Sequence, residues 1–141
     1  MMETIYTLIN LYVLPFWFLM ILASHWDWTK RIMASFWPVA VLPVVYAVLL
    51  FSQVVSPSGM PLDFSLNGIV ALLGNPTGAT IGWAHFLAFD LFVGRWVYLD
   101  SRERKMSAWV SSPILFFVLM AGPFGWLLYW IAHLIKIFVH R

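Results

Sequence analysis

The stretch from Thr4 to Ser24, TIYTLINLYVLPFWFLMILAS, runs without a charged side chain. About 20 mostly apolar residues suffice for a helix to cross a hydrocarbon core, so this stretch reads as a membrane span. Three more follow: Ile32 to Val55, also uncharged, Ala79 to Leu99, interrupted by His85, Asp90 and Arg95, and Ala108 to Ile135, uncharged apart from a charge that His133 can carry. The whole composition agrees. Of 141 residues 62 % are hydrophobic, 18 % aromatic and only 10 % charged, and the mean hydropathy is +0.87. So few charges cannot cover the wet surface of a soluble domain this size. Disorder and nucleic-acid binding fail on the same numbers, because both need charge or low hydrophobicity. The chain has no cysteine, which excludes disulfides, thiolate metal sites, iron–sulfur clusters and covalent haem attachment. The expectation is one all-α transmembrane domain over residues 1–141, an integral membrane four-helix bundle with spans at about 4–24, 32–55, 79–99 and 108–135.

Glu3 and the lack of an early Lys or Arg favour a retained first helix over a signal peptide. Cations in short loops set the orientation. Lys30 and Arg31 lie in the first loop, and Arg102, Arg104 and Lys105 in the third, against Lys136 and Arg141 elsewhere. With four spans, loops 25–31 and 100–107 are cytoplasmic or stromal and both termini lie on the opposite side. Trp26, Trp28, Trp96, Tyr98 and Trp109 would anchor that interface.

The second connection, Ser56 to Gly78, is broken by Pro57, Gly59, Pro61, Gly74, Pro76 and Gly78. Within it Leu66 to Leu73 is apolar, with Asp63 or Ser65 as N-cap. Eight residues cannot span, so a short interfacial or re-entrant helix is predicted there. Pro38 and Pro43 should bend the second span, and Pro113 and Pro123 the fourth. Gly122-Pro123-Phe124-Gly125 lies mid-span, where a kink opens a side pocket or is simply tolerated, as proline often is in membrane helices.

Ionisable groups at bilayer depth are costly unless partnered and often mark function. His85, Asp90 and Arg95 are five residues apart, about 140° per step around the helix, so they form no single stripe. Asp90 near mid-membrane cannot snorkel and needs a partner among Asn10, Gln53, Ser111, Ser112 and Arg95. It serves either a site or a structural polar cluster. Arg95 either pairs with Asp90 or snorkels to head groups. His133, at a depth similar to His85, leaves room for b-type haem or chlorophyll magnesium, at an unspecific spacing. A metal site has no third ligand in view.

The run Trp83-Ala84-His85-Phe86-Leu87-Ala88-Phe89-Asp90-Leu91-Phe92-Val93-Gly94-Arg95-Trp96-Val97-Tyr98-Leu99-Asp100 resembles the signature of the neoxanthin-synthase-like family, also called abscisic-acid-deficient-four-like. Ser65-Leu66-Asn67-Gly68-Ile69 and Pro123-Phe124-Gly125 fit as well. The resemblance implies a four-helix protein of photosynthetic membranes, bacterial inner or thylakoid. It also implies a role in converting violaxanthin to neoxanthin, by opening an epoxide and forming an allene. Such chemistry needs a general acid at the epoxide oxygen and a base for a ring-adjacent proton. His85 and Asp90 are the catalytic candidates, with Arg95 orienting Asp90 or a substrate hydroxyl. Trp83, Phe92, Tyr98 and His133 are the candidates for contact with a carotenoid or chlorophyll. The partners expected are membrane lipids, a carotenoid or similar isoprenoid, and a larger photosynthetic complex or a second copy. Two rival readings stand beside this one: a non-enzymatic pigment-binding or assembly subunit, and a structural membrane protein whose polar cluster fixes packing.

Overall fold

A computed structural model describes residues 1–56 and 63–139. Pro57, Gly59 and Pro61 of the second connection, and His140 and Arg141, lie outside the described residues. The described residues fold into seven α-helices with no strand among them. The helices are α1 (Met2–Leu22), α2 (Asp27–Ala34), α3 (Trp37–Val54), α4 (Leu66–Leu73), α5 (Pro76–Glu103), α6 (Ala108–Met120) and α7 (Gly122–Val139). By length and apolarity, α1 and α3 can each cross a membrane, and α6 is apolar but shorter.

The second apolar stretch is two helices and not one. Ser35 adopts extended backbone (ψ 152°), and Pro38 sits in the first turn of α3, where its missing N–H is harmless. The carbonyls stranded by the break are collected by Arg95. Its Nε donates to the Met33 carbonyl at 2.6 Å and the Ser35 carbonyl at 3.3 Å, and its Nη2 to that of Ala34 at 3.0 Å. The guanidinium also lies 4.4 Å from the Phe36 ring centre.

The short α4 occupies the predicted residues because its start signal is local. The Ser65 hydroxyl accepts from the Gly68 N–H at 3.1 Å, and the Asp63 carboxylate accepts from the Ser65 N–H at 2.9 Å. The third long helix begins at Pro76, three residues earlier than expected. Asn75 caps it through the Gly78 N–H at 2.8 Å while donating back to the Leu72 carbonyl of α4 at 2.9 Å. Gly78 packs directly on that carbonyl, where a Cβ would collide.

α5 is the axis. α1 runs parallel to it, with Trp83 donating to the Asn10 side chain, Trp17 packed on Gly94, and the Tyr98 hydroxyl donating to the Ser24 carbonyl. α3 runs antiparallel, with Phe36 beside Arg95 and Tyr46 beside His85. The core between them holds Ile9, Val13, Trp17, Met20, Leu42, Ala84, Leu91 and Val97.

The fourth stretch departs most from expectation. At Ala121 (φ −157°, ψ 74°) the chain reverses, and Gly125 of α7 packs on the backbone of Phe117 and Val118 in α6. Gly122 touches the Asp90 carboxylate, Tyr129 hydrogen-bonds Asp100, and Lys136 donates to the Arg104 carbonyl. α7 therefore runs beside α5 in the same direction and returns to the end where α6 began. Residues 108–135 form a helical hairpin, not a fourth straight helix. Its tip reaches the level of Asp90, about 15 Å along α5 from Asp100 at 1.5 Å per residue.

Candidate functional site

The hairpin redistributes the expected site residues. His85 lies near the end of the bundle that holds α4, while His133 lies within electrostatic range of Asp100, at the opposite end. The two do not share a level, so no group can be ligated by both. The expected depth match is corrected by the reversal at Ala121.

His85 lines a cavity of about 650 Å³ between α3, α4 and α5. Its walls are mainly apolar, from Leu50, Val54, Phe64, Ile69, Leu72 and Ile81. Four side chains bring polar atoms to it: Tyr46, Gln53, Asp63 and His85. The His85 ring packs on Tyr46 at 5.2 Å and Phe89 at 4.8 Å between centres, which limits its rotation. Hydrogen bonds from the Ser65 backbone and side chain hold the Asp63 carboxyl below its ordinary value, so it stays ionised at the cavity mouth. A mostly apolar pocket with a few convergent polar groups is what a small-molecule site requires.

Asp90 does not share this cavity. It is half-buried against Gly122 at the tip of the hairpin, beside the N-terminal end of α7, where the helix dipole favours a carboxylate. Arg95 is committed to the carbonyls of residues 33–35, and among the described residues it forms no ion pair with Asp90. His85, Asp90 and Arg95 thus serve three separate places: the cavity, the tip of the α6–α7 hairpin and the α2–α3 break.

The ring candidates also divide. Tyr98 is fully buried and bonded to Ser24, so it belongs to the core. Trp83 faces α1, its Nε1 donating to Asn10 at 3.1 Å. Phe92 lines a smaller pocket of about 190 Å³ with Val39, Pro43, Ala88 and Phe89. Phe89 joins that pocket to His85, so the α3–α5 seam continues from the larger cavity toward the Arg95 end. Sequence reasoning missed Tyr46 and Asp63 as cavity residues, and weighed Gln53 only as a partner for Asp90. The spacing of Tyr46, Leu50, Gln53 and Val54 carries the signal, since steps of four, three and one place all four on one helix face.

Comparison with known proteins matches residues 4–129 to the family model described as ABA DEFICIENT 4-like. The chain belongs to that family. The match takes in α1 and α3 as well as the His85–Asp100 motif. Protein ABA DEFICIENT 4, chloroplastic, from Arabidopsis thaliana is 34 % identical over 101 residues, covering 67 % of this chain and 46 % of the relative. The chain thus spans about half the length of that curated relative. No solved structure matches.

Proposed function

We propose that this ABA DEFICIENT 4-like chain is a membrane protein that takes the cyclic end group of a carotenoid or similar isoprenoid into the α3–α4–α5 cavity, and that His85 moves a proton there during isomerisation. The observation that carries this reading is a largely apolar cavity of about 650 Å³ with one imidazole on its wall. A ring with its methyl groups fits such a space. A stiff polyene does not, and would leave along the seam past Phe89 and Phe92. An isomerisation neither consumes nor releases a proton. A single imidazole can therefore accept one from carbon next to the ring and return it to the oxygen of an opening epoxide. Tyr46 and Gln53 supply hydrogen-bonding groups for ring hydroxyls. Asp90 is assigned to the hairpin tip, away from the reacting atoms, and Arg95 to the α2–α3 break.

The test is conversion by purified protein in detergent or vesicles supplied with an epoxycarotenoid, followed chromatographically. His85→Gln should retain the fold and bound pigment yet lose at least a hundredfold in turnover, the usual scale of a lost general base. Full turnover by that variant refutes the role of His85. Pigment that is bound but never converted by the wild-type chain supports the pigment-binding reading. The rings of Phe86, Phe89, Phe92 and Trp96 exposed along α5 favour that second reading, as a surface for pigment or a larger complex.

A further inference from the structure

The return of α7 has a consequence for the ends of the molecule. Among the described residues, every Lys and Arg except Arg95 lies at one end of the bundle: Lys30 and Arg31 on α2, Arg102, Arg104 and Lys105 where α5 closes, and Lys136 on α7. Lys136 joins this group only because the hairpin folds back, its Nζ donating to the Arg104 carbonyl. At the other end the charged side chains among the described residues are Glu3 and Asp63, both acidic. Trp26, Trp28 and Trp109 ring the cationic end and are 52 %, 69 % and 91 % exposed. Exposed tryptophans beside lysines and arginines are the residues that settle at a membrane interface.

The hairpin dimensions fit the same picture. The 13 residues of α6 rise about 20 Å, and the tip stops at Asp90, short of the roughly 30 Å needed to cross. The reversal at the start of α7 is packed against protein, Gly122 on Asp90 and Gly125 on the α6 backbone, as an irregular backbone at this depth requires.

We propose that the cationic, tryptophan-ringed end is the surface that meets an anionic lipid leaflet, and that residues 108–139 enter and leave the bilayer through this leaflet. The described residues then cross three times, and Met2 and Val139 lie on opposite sides. This reading does not depend on what the α3–α4–α5 cavity holds.

The absence of cysteine makes the test clean. Single-cysteine versions of the full chain carry Met2→Cys, Glu103→Cys or a cysteine added after Arg141. Each is reconstituted into phosphatidylglycerol-containing vesicles and treated with a membrane-impermeant maleimide. The expected result is one accessibility class for the Glu103 and C-terminal positions and the opposite class for Met2. A C-terminal cysteine that labels with Met2 overturns the hairpin topology. Orientation should be at least fivefold biased in anionic vesicles and approach an even mixture in pure phosphatidylcholine, or when Arg102, Arg104 and Lys105 are all replaced by Gln. The same bias in all three preparations overturns the assignment of the anionic leaflet.

Discussion

Replacing Arg95 by Met keeps an unbranched apolar stem and removes the guanidinium, which isolates what that group does for the α2–α3 break. Three carbonyls lose their donor, at 2.6, 3.0 and 3.3 Å, and Phe36 loses a cation 4.4 Å from its ring. A hydrogen bond from a charged donor contributes roughly 1.5–3 kcal/mol, and an exposed cation–π contact about 0.5–1 kcal/mol. The longest of the three bonds is weak, and the exposed Ser35 carbonyl regains water. Desolvation of the guanidinium offsets part of the remainder. A net loss of about 3 kcal/mol is expected, and Arg95→Lys should recover less than half, since an ammonium cannot span three carbonyls. Unfolding in mixed micelles by a denaturing detergent measures the loss, and hydrogen exchange at residues 33–39 localises it. If Arg95→Met unfolds with the wild type and exchange at the break is unchanged, the guanidinium is not the clamp described above.

Further consequences are open to direct measurement. The Asp63 carboxyl has a folded pKa held below its ordinary 3.8 by Ser65, so its contribution to α4 is present above that value. It is lost as the pH falls through the lowered folded value; exchange protection of residues 66–73 should drop in this acid window, and Asp63→Asn should remove the dependence. Asp100 accepts from Arg104 at 2.6 Å and from the buried Tyr129. Asp100→Asn should therefore loosen α7 against α5, read as faster exchange over residues 126–136 with α3 unaffected. A Cβ at position 94 would strike the Trp17 ring, so Gly94→Val should cost about 1–3 kcal/mol in the same unfolding assay through overpacking.

The parts of this fold that could be read from residues are those decided within a few positions. Ser65 and Asp63 announce α4, and the uncharged Thr4–Ser24 run announces α1, whereas Asn75-Pro76 reads as part of a broken connection although it caps and starts α5. The hairpin could not be read this way. Residues 108–135 look uniformly apolar, and Gly122-Pro123 reads equally as a mild kink. What turns the kink into a reversal is distant: Gly125 seated on the α6 backbone, Asp90 against Gly122, and Asp100 holding Tyr129. The site divides similarly. His85, Asp90 and Arg95 stand out on one helix, but their separation around it gives them different neighbours. The cavity around His85 needs three helices at once, so Tyr46 and Asp63 become visible only when these are packed together.

The most direct measurement of the proposed ligand site is whether pigment stays with the protein when the α3–α4–α5 cavity is filled from within. Leu50→Trp puts an indole into the α3–α4–α5 cavity, whereas Leu119→Trp puts one into a separate groove between α1 and α6. Absorption spectra of the two purified variants, loaded with an isoprenoid polyene, should show the polyene bands lost in the first and kept in the second. Polyene bands of equal strength in both would place the ligand elsewhere.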